Sequence, residues 1–240
     1  MEEKTVGIII VGNEILSGRV QDTNSYFFCQ ELFELGIKVA RITTLPDQED
    51  IIAEEVKRFA DLFDVVFVAG GIGPTHDDIT LNSIATGLNK ELIFDARIEE
   101  LMKNYFGNNF DPSWLKMAHV PQGTELIAIN KSHLPIIKIE NIYIFPGIPE
   151  ILEKKFDGIK ETFRSSPFFR KEVNVDTNEA KLVPILERVV HQFPDVQVGS
   201  YPISYERKYS VRLTIESKDQ ERAENAFLFL NSLLKLNNIT

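Results

Sequence analysis

The sequence contains a single cysteine, Cys29, so no disulfide can form within the chain. It also lacks any apolar run near the roughly 18 residues that a membrane-spanning helix needs. The N-terminus begins with two glutamates, whereas a secretory signal begins with basic residues and continues with a longer apolar core. These absences predict a reducing, cytoplasmic location without membrane association.

Positive charge is also scarce. The 240 residues carry 26 lysines and arginines against 36 aspartates and glutamates, which gives a net charge of −10. General binding to nucleic-acid phosphates needs a basic face, so we expect no nucleic-acid partner. The hydrophobic fraction of 43% and the charged fraction of 26% are those of a folded protein, and the length suits one or two domains.

The first part of the chain alternates between strand and helix patterns. β-Branched runs at residues 5–11, 37–43 and 64–69 predict buried strands, and the segments between them predict helices. Gly36 stands where a helix commonly ends. Two such β-α-β units predict a parallel sheet, in which ligands bind beyond the carboxyl ends of the strands. The loops at residues 12–18, 44–50 and 70–78 should therefore meet at one edge.

Further helices are predicted around residues 98–105 and 149–163, and two strands around a turn at residues 140–141. Residues 164–167 form a plausible domain boundary. Beyond it the predicted order is strand, helix, strand, strand, helix, which indicates a small α+β module. The predicted domains are residues 1–165 and 166–240.

The loop at residues 70–78, GGIGPTHDD, is the most informative motif. Glycines directly after a strand allow close approach of the backbone to a ligand and can present N–H groups to an anion. Asp77 and Asp78 have the wrong charge for a phosphate unless a divalent cation lies between them. The alternative is a tight turn whose aspartates stabilise the start of the following helix.

Neither glycine loop fits a standard nucleotide motif. Residues 70–76 break the G-x-G-x-x-G pattern, and residues 12–20 have neither the spacing nor the Lys-[Ser/Thr] of a Walker A loop. Acidic and amide residues follow the other strands: Glu14, Asp22, Asn24 and Asp47. Helix capping is the alternative role for the last three of these. His76 is interpreted as solvated, no zinc site is expected, and Cys29 and Trp114 are assigned to the core.

On residues 12–18, 22–24, 70–78, 141–149 and 199–202, the chain resembles the molybdopterin-binding domain superfamily. It is most similar to the competence-damage proteins and, more closely, to the N-terminal molybdopterin-binding-like domain of eukaryotic FAD synthase. The resemblance implies a three-layer α/β/α domain with a mostly parallel sheet, followed by the small α+β module.

The resemblance also implies an activity and a site. Aspartates matching Asp22, Asp47 and Asp78 line the pocket in the cofactor-biosynthesis relatives, and Asp77 is the additional acid of the competence-type and FAD-synthase-type loop. These two branches are associated with metal-dependent cleavage of FAD or ADP-ribose, with cobalt and potassium as activating ions. The synthase and amidase domains of the longer relatives do not follow in this sequence, so we expect no FAD synthesis by this chain itself.

The hypothesis is a hydrolase that converts FAD to FMN and AMP, or cleaves ADP-ribose, with a divalent cation (Mg, Mn or Co) and with K as a further ion. A non-catalytic nucleotide- or molybdopterin-binding domain that serves an FAD synthase-like protein is the alternative; molybdopterin adenylylation is disfavoured by Asp77 and the C-terminal module. A homo-oligomer is expected. The candidate catalytic residues are Asp47, Asp77 and Asp78, and the candidate metal ligands are Glu14, Asp77 and Asp78. The candidate substrate- and phosphate-binding residues are Gly12, Glu14, Gly18, Asp22, Asn24, Gly70, Gly71, Gly73, Pro74 and Thr75.

Overall fold

The structure, a computed structural model, describes residues 4–129, 134–204 and 210–239. The chain divides into two compact units, Met1–Ser165 and Ser166–Thr240. In the part of the chain that is described, no helix is long and apolar enough to cross a bilayer.

The first unit alternates strands and helices, with short 3₁₀ helices at Gly107–Asn109, Pro112–Ala118 and Lys160–Phe163. Its elements in chain order are β1 (Thr5–Val11), α1 (Asn13–Leu16), α2 (Asn24–Glu34), β2 (Lys38–Leu45), α3 (Glu49–Leu62), β3 (Val65–Ala69), α4 (Thr80–Gly87), β4 (Leu92–Phe94), α5 (Ala96–Phe106), β5 (His119–Pro121), β6 (Glu125–Ile127), β7 (Ile136–Ile139), β8 (Ile142–Phe145) and α6 (Pro149–Asp157).

Six strands form the central sheet in the order β2-β1-β3-β8-β7-β6. The first four are parallel, and β7 and β6 continue the sheet in antiparallel pairing. The predicted mostly parallel sheet is therefore confirmed. The chain passes from β1 outward to β2 and then crosses β1 to reach β3. The strand order thus reverses between β1 and β3, and in open α/β sheets this is where ligands bind.

Helices cover both faces of the sheet, which confirms the three-layer arrangement. Ile9 and Val11 of β1 pack in a core with α3, α4 and α5, whereas Ile8 and Ile10 pack in a second core with α2 and α6. The alternation follows from the two-residue period of a strand. Because both faces are covered, β1 is an almost uninterrupted apolar run.

A cluster of phenylalanine rings forms the centre of the α2 and α6 side. The Phe28 ring lies with its centroid 5.0 Å from that of Phe67, 5.2 Å from that of Phe145 and 5.3 Å from that of Phe156, and all four side chains are fully buried. Tilted and offset ring pairs at these separations are favourable beyond the area they bury. The cluster joins α2 and α6 to β3 and β8, the strands that lead into the loops of interest.

The second unit contains β9 (Phe169–Val175), α7 (Val183–Gln192), β10 (Gln197–Ser204), β11 (Ser210–Ser217) and α8 (Gln220–Leu236). The predicted order of elements is confirmed. The three strands form an antiparallel sheet in the order β10-β11-β9, with its own apolar core. The predicted beginning of the last strand, at residue 208, lies outside the described residues.

Several local predictions were wrong. The loop at residues 12–18 contains a single helical turn, α1, and the helix predicted to reach residue 163 ends at Asp157, followed by the 3₁₀ helix Lys160–Phe163. Strands β4, β5 and β6 were not predicted. Each has only three residues, too few for a periodic pattern to distinguish strand from loop.

The phenylalanine cluster generates a stability prediction. Phe28→Ala should lower the free energy of unfolding by about 3–5 kcal/mol, because the cavity that it creates is enclosed by three other rings. Urea unfolding followed by circular dichroism measures the change. Leu62→Ala, at an exposed position on α3, is the control and should cost less than about 1 kcal/mol. Equal losses for the two variants would contradict the packing argument.

Candidate functional site

Three loops that follow parallel strands are tied together at one edge of the sheet. The Gly12 amide, after β1, donates to the Leu45 carbonyl oxygen at 3.0 Å. The Gly70 amide, after β3, donates to the Phe145 carbonyl at the end of β8 at 3.2 Å. The Asn24 side-chain amide at the start of α2 donates to the Gly147 carbonyl at 2.8 Å. The carboxyl ends of β1, β3 and β8 therefore share one contact network.

A cavity of about 700 Å³ opens at this edge. Its lining has a polar part, made by the loop after β3 together with the β1 loop, and a larger apolar part. The polar part comprises Glu14, Gly70, Gly71, Gly73 and Asp78. The apolar part includes Ile98, Met102, Tyr105, Phe106, Trp114, Met117, Ile137, Ile148 and Ile151.

The first two glycines of the GGIGPTHDD loop are required by their surroundings. Gly70 has a φ of +105°, and a Cβ on it would lie 2.1 Å from the Val11 carbonyl oxygen. Gly71 has a φ of +62°, and its Cβ would lie 2.4 Å from Thr80 Oγ1. L-residues with a side chain are disfavoured at such angles, and a Cβ cannot approach other atoms so closely. The backbone therefore turns sharply at the point where the loops meet.

After this turn, three consecutive amides have no hydrogen-bond acceptor among the described residues. Within the described part of the chain, the N–H groups of Gly71, Ile72 and Gly73 donate to no protein acceptor. All three residues line the cavity. Successive unpaired backbone N–H groups in a turn form a concave anion-binding surface. These three N–H groups are therefore candidates for binding an anion.

Two carboxylates converge on one hydroxyl group in the second part of the loop. Thr75 Oγ1 lies 2.6 Å from Asp77 Oδ1 and 2.5 Å from Asp78 Oδ2. The Thr75 amide also donates to Asp78 Oδ2 at 2.8 Å. The hydrogen bond from the Thr75 hydroxyl lowers the pKa of Asp77 below its ordinary value. This contact favours the charged form of Asp77, which stands beside the cavity.

This acidic segment is also attached to the apolar wall. Lys116 donates a hydrogen bond from Nζ to the Thr75 carbonyl oxygen. Lys116 belongs to the 3₁₀ helix Pro112–Ala118, which also carries Trp114 and Met117. The position of the acids and the position of the aromatic wall are therefore coupled through one short helix.

Other predicted site residues have structural contacts outside the cavity lining. Asp47 Oδ2 accepts a hydrogen bond from the Asn13 amide at 2.9 Å, which caps α1. Asp22 accepts from the Ser25 amide at 3.0 Å at the start of α2, so the capping alternative applies to it. Asn24 does not cap the helix; it is buried, and its Oδ1 has no partner among the described residues.

The remaining predicted glycines also lie outside the lining. A Cβ on Gly12 would meet the Glu14 carboxylate at 2.4 Å, so glycine leaves room for that side chain to fold back. Gly18 has a φ of +69° and open space around it. Pro74 lines the cavity, whereas Thr75 and Asp77 stand beside it.

The metal-binding capacity of the site rests on oxygen atoms alone. In the described residues, no three His, Cys, Asp or Glu side chains come together as a ready-made metal cluster. His76 points into solvent, with 97% of its side chain exposed. Of the predicted ligands, Asp77 and Asp78 meet at the Thr75 hydroxyl, whereas Glu14 does not join them in such a cluster. Hard cations can bind to one or two protein carboxylates together with substrate phosphates.

Sequence reasoning missed three residues of the site. Trp114 packs against the core, as predicted, but it also forms part of the cavity wall, which was not predicted. Lys116 was not considered. Lys155 was also missed, although it lines the cavity and is buried. Its spacing could have revealed it, because it stands three residues after Leu152 and beside Phe156 on the buried face of α6.

Each of the two units matches a known protein family. Residues 7–165 match the model of the probable molybdopterin binding domain. Residues 167–240 match the model of the FAD synthase middle domain. The predicted resemblance is therefore confirmed, and the second unit matches a family model of its own.

Some similar proteins match over nearly their whole length, and others over about half of it. A protein of Archaeoglobus fulgidus is 35% identical over 95% of this chain and 96% of the relative. A probable FAD synthase of Caenorhabditis briggsae is 29% identical over 97% of this chain, and the match covers 50% of that relative. The chain thus spans about half the length of this longer relative.

A solved structure is similar over about two thirds of the chain. The crystal structure of CinA from Thermoplasma acidophilum, a protein described as having unknown function, superposes with a TM-score of 0.61 and 29% identity. The match covers 68% of this chain and 100% of that chain.

The sharp turn of the loop can be tested with two matched glycine variants. Gly71→Ala and Gly18→Ala both place a side chain at a positive φ, at a cost of about 1–2 kcal/mol. Only Gly71→Ala also brings a Cβ against Thr80, which should add about 1–3 kcal/mol. Chemical denaturation compares the two free energies of unfolding. Equal losses would mean that the loop relaxes freely and that Gly71 is not held in place.

Proposed function

The chain belongs to the family of probable molybdopterin-binding domains and is related to FAD synthase, and from this premise we propose that its cavity binds and hydrolyses a dinucleotide pyrophosphate with a divalent cation. Water would be added across the P–O–P linkage, converting FAD to FMN and AMP, or ADP-ribose to AMP and ribose 5-phosphate. The observation that supports this most is the presence of free amides, two acids and an aromatic wall at one cavity.

The phosphate would be held by the loop after β3. The unpaired amides of Gly71, Ile72 and Gly73 can donate to oxygens of one phosphate and to the charge that develops on it during attack by water. Donors that are fixed before reaction are effective because they need no reorganisation. The contacts of Gly70 with the ends of β1 and β8 supply that rigidity.

The cation would be held at the carboxyl groups beside this loop. A hydroxyl has a single proton, so Thr75 can donate to only one of the two carboxylates that lie within 2.6 Å of its oxygen. A bound cation would relieve the remaining close approach of oxygens. Asp78, on the cavity lining, and Asp77, beside it, are the residues that would hold such an ion.

The cation would supply charge neutralisation at the pyrophosphate oxygens and a site for the attacking water. Phosphoryl transfer depends mainly on positioning and charge stabilisation, so a site of amides and carboxylates suits it. The aspartates themselves would bind the cation and thereby orient the attacking water. Glu14, folded back over Gly12 on the same lining, is the additional carboxylate available to accept a hydrogen bond from water.

The apolar wall would receive a ring of the dinucleotide. The ring centroids of Phe106 and Trp114 lie 3.8 Å apart and those of Tyr105 and Phe106 lie 4.8 Å apart, and all three residues line the cavity. Flat heteroaromatic rings stack on such side chains. A flavin or an adenine next to a phosphate site is thereby accommodated, which a site for inorganic pyrophosphate alone would not require.

A second candidate is nucleotide binding without turnover, for the benefit of an attached synthase. The contacts of the acids favour it, because Asp78 is occupied by the Thr75 amide and Asp47 by the Asn13 amide. In this case the acids would stabilise the loops, and the free amides and the aromatic wall would account for binding.

The metal requirement separates the two candidates. Purified protein incubated with FAD or ADP-ribose should form AMP only after addition of Mg²⁺, Mn²⁺ or Co²⁺, with K⁺ tested as a further ion, and chromatography quantifies the products. Cleavage in the presence of excess chelator would show that the reaction needs no divalent cation. Binding of a dinucleotide without cleavage under any of these ions would leave the non-catalytic candidate.

The acids can be tested by removing charge while keeping shape. Asp78→Asn and Asp77→Asn should each lower the initial rate by roughly two orders of magnitude, the usual size for one well-placed catalytic group. Asparagine at position 78 still accepts from the Thr75 amide, and asparagine at position 77 still accepts from the Thr75 hydroxyl. The free energy of unfolding should therefore change by less than about 1 kcal/mol in each variant. Asp61→Asn, at an exposed position on α3, is the control with parental rates. Parental rates in all three variants would assign the acids to loop structure.

The aromatic wall can be tested independently of chemistry. Trp114→Leu should weaken metal-free binding of FAD at least fivefold, since stacking on one aromatic side chain contributes about 1–3 kcal/mol. Quenching of flavin fluorescence during titration measures the dissociation constant. Tyr26→Leu, at an exposed tyrosine of α2, should leave it unchanged. Unaltered affinity in Trp114→Leu would place the flavin elsewhere.

A further inference from the structure

The most unusual charged group of the cavity is Lys155. It lies on α6, lines the cavity and is only 7% exposed. Its ammonium donates to the carbonyl oxygens of Leu134, at 2.5 Å, and Pro135, at 2.6 Å. These two carbonyls immediately precede β7, whose first residues pair beside the carboxyl end of β8. The charge therefore lies at the same edge of the sheet as the glycine loop.

In the described part of the chain, no counter-ion accompanies this charge. Among the described residues, no carboxylate lies within ion-pair distance of Lys155 Nζ, and the other charged residues of the cavity lining are Glu14 and Asp78. Lys160, one turn farther along the chain, contrasts with it by pairing with both Glu31 and Asp157. Burial, with no contribution from a charged neighbour, lowers the pKa of Lys155 to about 8.

The need to hold the segment before β7 in place does not explain why the side chain at position 155 is charged. Two hydrogen bonds to carbonyl oxygens could be supplied by a neutral amide, whereas burial of an unpaired ammonium is costly. An ammonium has three N–H donors, and the two carbonyls accept two of them. One donor and one uncompensated positive charge are thus left beside the cavity, and an anionic ligand would satisfy both.

We propose that Lys155 is the cation of the cavity that recognises a phosphate group of the ligand, and that the ligand supplies the missing counter-charge. This inference rests on the proposed function for the identity of the ligand, a dinucleotide pyrophosphate. The free amides of the glycine loop and the Lys155 ammonium would then bind different oxygens of the two phosphates. An anion raises the pKa of the ammonium that it contacts, so binding takes up a proton above about pH 8.

Three variants separate charge from packing. Lys155→Gln keeps an amide donor for the Leu134 and Pro135 carbonyls but removes the charge, Lys155→Met removes both, and Lys154→Met changes the exposed neighbour on the same helix. Metal-free binding of ADP-ribose is measured by titration calorimetry at pH 7.0 and pH 9.5. The pyrophosphate of this probe keeps its charge over that range.

The parent and Lys154→Met should bind at least about tenfold more weakly at pH 9.5 than at pH 7.0, because a group with a pKa of about 8 loses most of its charge over this interval. Both Lys155 variants should bind at least tenfold more weakly at pH 7.0 and show little pH dependence. Parental affinity in Lys155→Gln, or a parental pH dependence in it, would overturn the proposal while leaving the proposed function intact.

Failure of ADP-ribose and FAD to bind the parent would count against the proposed function alone. In that case, a second measurement tests whether Lys155 binds an anion. Amines of the parent are labelled with trinitrobenzenesulfonate at pH 8.5 and mapped by peptide mass spectrometry, with and without inorganic pyrophosphate or sulfate. Protection of Lys155 but not Lys154 supports an anion site at this lysine. Equal labelling of Lys155 in the presence and absence of both anions would overturn it.

Discussion

The close packing of Gly70 against the ends of its neighbouring strands is the constraint on which the site depends. Its amide is bonded to the Phe145 carbonyl, its α-carbon faces the Val11 carbonyl, and Gly147 passes nearby. No side chain fits between these groups, so the three strand ends approach one another and the backbone must turn at Gly70 and Gly71. The turn leaves the next amides without partners among the residues that the structure describes, and it directs the chain along the cavity. The strand-order reversal between β1 and β3 provides the opening that this turn lines.

The charges around the cavity form a pattern that suits an anionic ligand carrying a cation. Asp78 and Glu14 supply negative charge, with Asp77 beside them, whereas Lys155 supplies positive charge without a carboxylate partner among the described residues. The acids favour a cation, whereas the lysine and the loop amides favour a phosphate. The proposed metal-bound pyrophosphate would satisfy both. The apolar remainder of the lining adds contact area for a ring but contributes no net charge.

The sequence predicts the regular part of this architecture well, because that part depends on local patterns. The bounds of β1 follow from its apolar run, and Gly36, with a φ of +73°, ends the α2 turn as expected. Only part of the site can be predicted from local sequence patterns. The hydrogen bond between Asn24 and Gly147 joins residues 123 positions apart, and no local pattern indicates it. Asp47 accepts the hydrogen bond of the Asn13 amide at the start of α1, rather than capping α3, which follows it in the sequence. Trp114 lies in the cavity wall because a short 3₁₀ helix, which has no clear sequence pattern, places it there.

A crystal structure of the protein with Mn²⁺ and a non-hydrolysable analogue of FAD, in which methylene replaces the bridging oxygen, tests the central claim most directly. The account predicts phosphate oxygens within hydrogen-bond distance of the amides of Gly71 to Gly73, and an anomalous manganese peak between that phosphate and the carboxylates of Asp77 and Asp78. A pyrophosphate bound away from this loop, or a manganese ion held without either aspartate, would contradict it.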